Sequence, residues 1–240
     1  MILDINRVTK KFGGLQALSD VSVSFARGEF AALVGPNGSG KTTLLNCISG
    51  LYSPDTGSIR LKDKSITGLP PHRIYRLGLG RTFQISKVFN RLTVIDNLRI
   101  PALTEGKLNR QGIRKRSLEI LKQIKLDHLT QSTAENLSGG QRKLLELGMV
   151  LMTDPQILLL DEPFGGVHPE LKSELEDYLC LLNRNGKTII LVSHEMPSVF
   201  KICQRLVVLD HGILLTEGSP ESVRADERVI NAYLGGSYET

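Results

Sequence analysis

The sequence contains no tryptophan, and its aromatic residues amount to only 5%. Cysteine is scarce as well. Cys47, Cys180 and Cys203 are odd in number and widely spaced, which excludes a disulfide framework and any metal-ligand pattern and leaves buried free thiols as the reading. Long apolar runs are missing. Ile157 to Leu160 and Thr188 to Val192 are among the longest, far short of the roughly 20 residues that span a bilayer. The opening MILDINRVTKKFGG has no apolar region of the kind found in a secretory leader. A cytoplasmic chain without a transmembrane segment is expected. No block of like charge is long enough to serve as a nucleic-acid tail, and no repeat or low-complexity segment occurs. The formal net charge of +5 is scattered. The basic stretch from Arg110 to Lys125 has helical spacing and reads as a solvated helix face, so no direct contact with nucleic acid is expected.

What is present fits one substantial core. The 240 residues are 40% hydrophobic and 23% charged, ordinary for a globular protein. Leu3, Ile5, Val8, Val21, Val23 and Phe25 alternate with polar residues and predict short antiparallel strands, punctuated by Gly13-Gly14 and Arg27-Gly28-Glu29. Phe30 to Val34 is continuously apolar, as in a strand buried on both faces. A glycine-rich loop and a helix from Thr42 to Ser49 follow, and strand character resumes at Ile59 to Lys62. From about Ser86 to Met152 the spacing turns helical: Leu118, Leu121, Ile124 and Leu126 form one set, and Leu144, Leu145, Leu147 and Leu151 another. Buried-strand runs return at Ile157 to Leu160, Thr188 to Val192 and Leu206 to Leu209, with a helix from Glu170 to Asn183 between the first two. Strands alternating with helices predict a parallel sheet. The tail from Pro220 to Leu234 predicts one or two short helices ending at Gly235-Gly236.

Three motifs carry chemistry. Gly35-Pro36-Asn37-Gly38-Ser39-Gly40-Lys41-Thr42, followed by Thr43, matches G-x-x-x-x-G-K-[ST] between a buried strand and a helix, the setting of a phosphate-binding loop. Its glycines let backbone N–H groups converge on a phosphate, and the helix start adds partial positive charge. Lys41 can reach the β- and γ-phosphates of ATP, and the Thr42 hydroxyl can ligate Mg²⁺. The second motif is Asp161-Glu162-Pro163 at the end of an apolar strand, the sheet edge where open α/β folds bind ligands. Asp161 suits Mg²⁺, and Glu162 suits a general base for an attacking water. The third is Leu137-Ser138-Gly139-Gly140-Gln141, a helix start with Ser138 as N-cap. Its two glycines and the Gln141 amide give it the build of a second phosphate site.

These motifs together resemble the ATP-binding-cassette family over nearly the whole chain. The resemblance implies an α/β phosphate-loop NTPase core, a mostly parallel sheet flanked by helices, with an N-terminal antiparallel β subdomain. Residues 1–85 and 153–240 would form the core of a single domain, and about 86–152 an inserted helical subdomain. It implies that Gln84 reaches the metal and senses a transporter, that His194 contacts the γ-phosphate, and that Phe12 stacks on adenine. It also implies a head-to-tail dimer with a second cassette, homo- or heteromeric, in which the phosphate loop of one chain and Ser138 to Gln141 of the other enclose each ATP. The chain departs from the family's common pattern at His168, where many members carry Asp.

Further stretches resemble branched-chain amino-acid importer ATPases: His72-Arg73-Ile74, Gly80 to Gln84, Phe89, Leu92-Thr93-Val94, Asn97-Leu98, Glu217 to Pro220, Val229, and Ala232 to Gly235. Urea or short-chain amide importers share much of this pattern, and lipopolysaccharide-export ATPases share the tail. The implied function is ATP hydrolysis at the cytoplasmic face of a membrane, driving a permease that docks near Gln84 to Leu98. A soluble cassette acting on DNA or ribosomes usually carries two cassettes or a long coiled-coil insertion, and this chain has neither. A regulatory module without turnover is disfavoured by the presence of Lys41, Gln84, Glu162 and His194.

Overall fold

The computed structural model describes residues 1–106 and 108–235. Gly236, the second of the two glycines expected to end the last helix, lies outside them. The chain opens with a long hairpin, Leu3–Phe12 (β1) against Leu15–Phe25 (β2). Leu3, Ile5 and Val8 are all buried although their spacing breaks strict alternation. A register shift between Ile5 and Val8 accounts for this, with Arg7 at φ 49°: the bulge returns Val8 to the inner face.

Phe30–Val34 (β3) has no polar side chain and is buried throughout. It runs into Lys41–Ile48 (α1). Thr56–Leu61 (β4) then pairs with β1, and Lys64–Ser65 (β5) pairs with β4, completing a four-stranded antiparallel sheet of order β2-β1-β4-β5. Pro71–Arg76 (α2) leads to the short strand Leu79–Arg81 (β6). Three longer helices follow, Val94–Glu105 (α3), Arg110–Gln123 (α4) and Gly139–Leu151 (α5). The chain returns through Ile157–Asp161 (β7), Pro169–Arg184 (α6), Thr188–Val192 (β8), Met196–Ile202 (α7) and Arg205–Asp210 (β9). Ile213–Gly218 (β10), Pro220–Arg224 (α8) and Glu227–Gly235 (α9) close the described chain.

The second sheet has six strands in the order β10-β9-β3-β8-β7-β6. Its inner pairings are parallel, and β10 is an antiparallel edge. Successive side chains point to opposite faces, and the apolar strands split accordingly. Ala31, Leu33, Leu159, Ile190, Val192 and Val207 pack with α1 and the antiparallel sheet. Phe30, Ala32, Leu158, Leu160, Leu191 and Val208 pack with residues of α3, α4, α5 and α6. Burial on both faces is why these strands read as unbroken apolar runs.

Some details differ from the sequence expectation. Leu118 is 38% exposed; the buried face of α4 is Ile113, Ser117, Ile120 and Leu121, one step round the helix. Cys47 and Cys203 are buried, whereas Cys180 is only half-buried. No helix of the described residues is long and apolar enough to cross a membrane.

Candidate functional site

Strands β3, β8 and β7 lie side by side and parallel, so their carboxyl ends share one edge. Out of that edge emerge the loop from Gly35, the segment Ser193-His194, and Asp161-Glu162. A cleft of about 440 Å³ opens there, lined by Phe12, Gly38 to Thr43, Gln84, Asp161, Glu162 and His194. Its size is within the range of small-molecule sites. The structure thus brings to one place residues that lie more than 180 positions apart in the chain, from Phe12 to His194.

The loop is set by its first glycine. Gly35 has φ +146°, and a Cβ there would stand 2.0 Å from the Leu209 carbonyl oxygen; only glycine allows this close approach to the end of β9. Lys41 is the first residue of α1 and is buried. Its ammonium donates to Gly35 O at 2.8 Å, Pro36 O at 2.7 Å and Ser39 Oγ at 3.3 Å, so the loop is curled around its own lysine. Burial pushes the Lys41 pKa below its ordinary value, while Glu162 and Asp161 oppose the shift. No acidic residue and no side-chain cap occupies the first turn of α1, which leaves its amide groups and the helix dipole free for an anion.

Asp161 ends β7 and is buried. Its Oδ2 lies 3.5 Å from the Arg81 guanidinium, and its N–H donates to Thr82 Oγ1. Burial raises its pKa above the ordinary carboxylate value, and Arg81, Lys143 and Lys41 work against that rise. Glu162 sits at φ +50°, a left-handed conformation that is uncommon for a residue with a side chain. Its Oε2 accepts from the His194 N–H at 3.3 Å, and Oε1 lies 3.5 Å from His194 Nε2. Among the described residues Oε1 is buried and has no hydrogen-bond partner. Gln84 is exposed at the rim, and Phe12 stands at the other side, its ring in a T-shaped contact with Tyr52 at 5.1 Å.

Thr42, Gln84 and Asp161 offer oxygen donors to the cleft. Among the described residues no group of three or more His, Cys, Asp and Glu is arranged to hold a metal. A donor set this sparse suits a hard divalent cation whose shell is completed by phosphate oxygens and water.

Ser138, Gly139, Gly140 and Gln141 do not line this cleft. Ser138 and Gly139 are exposed at the start of α5. The Gln141 amide is turned back into a capping box: its Oε1 accepts from Ser138 N–H at 2.9 Å, and Ser138 Oγ accepts from Gln141 N–H at 3.2 Å. Gly140 has a packing role, since a Cβ there would stand 3.0 Å from Val167 Cα. His168 is exposed at the N-cap position of α6.

Residues outside the motifs matter too. Arg81 reaches both Ser49 Oγ, just beyond α1, and Asp161. Glu146 is buried in α5 and hydrogen-bonded to the loop carrying Gln84. The available signal was a lone carboxylate among Leu144, Leu145 and Leu147.

A family model described as ABC transporter matches residues 18–165, and one described as branched-chain amino acid ATP-binding cassette transporter matches residues 214–239. The probable branched-chain amino acid transport ATP-binding protein LivG of Archaeoglobus fulgidus is 37% identical over 245 residues, which cover 98% of this chain and 95% of that protein. The high-affinity branched-chain amino acid transport ATP-binding protein LivG of Escherichia coli strain K12 is 37% identical over 250 residues, 98% of each chain. Among solved structures, the ADP conformation of MJ1267, an ATP-binding cassette of an ABC transporter, superposes with a TM-score of 0.87 at 33% identity and covers 98% of both chains. The dimeric post-hydrolysis state of the ATP-binding cassette MJ0796 bound to ADP and Pi gives 0.84 at 28% identity over 91% of this chain and 98% of that one. With its phosphate loop and acidic strand end at a common sheet edge, and with relatives of this kind along nearly its full length, the chain belongs to the ABC transporter family and is an ATPase.

Proposed function

We propose that the chain is the ATP-hydrolysing subunit of an importer for branched-chain amino acids or closely related small solutes, working at the cytoplasmic face of a membrane. The cargo reading is supported by the relatives' names and by the match at residues 214–239. Residues 1–85 and 153–240 act as the ATP-binding core, and about 86–152 as the helical lobe.

The observation that carries the catalytic reading is the unpartnered Glu162 Oε1 beside His194. A buried carboxylate oxygen without a donor is costly, and the residue that carries it lines the same cleft as Lys41. ATP enters with its adenine against Phe12. Its phosphates take over the Lys41 ammonium from Gly35 O, Pro36 O and Ser39 Oγ, and the loop N–H groups from Gly38 to Thr43 cradle them. Thr42, Asp161 and Gln84 would hold Mg²⁺, which when bound would supply charge neutralisation for the phosphates. Glu162 Oε1 then accepts a proton from the attacking water, and His194 stabilises the γ-phosphate.

Exposed Ser138 and Gly139 complete the site of a second cassette. Ile85, Phe89 and Leu92 are exposed apolar residues in the segment that joins β6 to α3 and form the docking surface for permease helices. Glu162→Gln tests this reading. The variant should bind ATP, lose at least about 100-fold in turnover and accumulate as an ATP-bound dimer in size-exclusion chromatography. Wild-type turnover in Glu162→Gln would remove Glu162 as the base.

A further inference from the structure

Glu146 is a buried carboxylate that the hydrolytic mechanism above leaves without a task. It is 4% exposed and lies eight residues, about 12 Å of helix, beyond Ser138. Its Oε1 accepts two backbone N–H groups, from Phe83 at 3.3 Å and Lys87 at 3.1 Å. These two amides bracket Gln84, so a single oxygen atom ties the stretch that presents Gln84 to α5, while Asn97 holds the loop farther on at Phe89. Three residues earlier, on the same face of α5, Lys143 donates to the backbone carbonyl of Glu162. One rigid helix therefore holds both loops of the catalytic cleft, while its exposed N-terminus carries Ser138 and Gly139.

We propose that Glu146 is a positioning residue that fixes Gln84 to α5, with Lys143 fixing the peptide of Glu162, so that nucleotide seated on the start of this helix by the partner cassette is felt at the chain's own cleft. The inference rests on reading Ser138 to Gln141 as half of the partner's site. Packing alone gives no reason for a carboxylate here: its helical neighbours Leu144, Leu145 and Leu147 are apolar, and burying an acid costs stability unless its bonds are needed. The charged groups around it are Lys143 on its own helix, Lys87 on the loop and Arg81 on β6, with Asp161 of β7 lining the same small cleft as Lys143 and Glu146. Burial raises the Glu146 pKa to about 7 against the pull of the Lys87 and Phe83 amides and of Lys143. The group is held in place at that cost.

The test uses Glu146→Leu, which removes the acceptor at similar volume, and Glu146→Gln, whose amide oxygen can accept the same two N–H groups. The chain has no tryptophan, so Ile85→Trp in each background gives a single fluorophore on the loop. Glu146→Leu should lower turnover at saturating ATP about ten-fold or more, leave directly titrated ATP affinity within about two-fold, and abolish the fluorescence response to ATP. Glu146→Gln should keep most of the turnover and the response. Wild-type turnover and response in Glu146→Leu would overturn the proposal. So would a loss shared equally by Glu146→Gln, or one matched by an equal loss of ATP affinity. A wild-type chain that fails to bind ATP in the titration would instead overturn the underlying functional reading, and the proposal with it.

Discussion

Lys41 and Glu146 are both buried ionisable groups, yet only one was legible from the sequence. Lys41 is named by its spacing, because a phosphate cradle requires glycine, lysine and hydroxyl at fixed offsets along one turn of backbone. Glu146 is defined by what folds against it, the amides of residues about 60 positions earlier, and no local pattern encodes that. Arg81 escaped for the same reason. Glu146 has a further consequence for stability. Its pKa in the folded state is about 7, above the ordinary 4.5. Between those values the folded chain holds a proton that the unfolded chain has released, so the contribution of Glu146 to stability falls as pH rises through that window. Glu146→Gln removes this dependence. Its unfolding free energy should gain on that of the wild type by on the order of 2 kcal/mol as pH rises from about 5 to about 8. Urea titrations at several pH values check this; a constant gap would contradict it.

The elements that were legible are long or uniform: the run at β3, the leucine spacing of α5, the apolar strands β7 and β8. Those that were not include α2, α3, α7, β5, β6 and β10. β6 has three residues, and its central Gly80 lies where a Cβ would strike Val150 Cγ1 at 2.4 Å, so packing rather than propensity defines it. α7 begins Met196-Pro197 and is seven residues long, too short for a periodicity. α5 is the helix with most at stake, since both its end and its flank are engaged. Its Ser138 cap satisfies an N–H that would otherwise be orphaned. Ser138→Ala should destabilise the protein by about 1 kcal/mol, read as a lowered urea midpoint with unchanged slope. On the proposal that Ser138 also completes the site of a second cassette, Ser138→Ala should weaken ATP-dependent dimer formation as well. A stability loss with dimerisation intact would separate the cap from the interface.

At the scale of the whole molecule, alternating strands and helices announced a parallel sheet but not its order. The order β10-β9-β3-β8-β7-β6 depends on long-range pairing, which a linear pattern does not record. Its effect is that β3, fourth from the β6 edge, is flanked on both sides by strands from the last third of the chain. The loop it carries is braced in the same way, since Gly35 abuts Leu209 and Gly212 N–H donates to Ser39 O at 3.1 Å. A chain truncated after Gly186 lacks both neighbours of β3 and should bind no ATP in equilibrium titration, although its entire phosphate loop is present. Binding by that fragment would show that the loop folds autonomously.

The placement of β3 therefore bears on timing during synthesis. The ribosome makes the phosphate loop early, but the strand beneath it waits for about 150 further residues before either neighbour exists, and loops of that length close slowly. Until then an apolar strand meant for the centre of a sheet has nothing to pair with. The growing chain acquires its ATP pocket only once Thr188–Val192 and Arg205–Asp210 have been made, so a nascent chain that stops short of them should not hydrolyse nucleotide on its own.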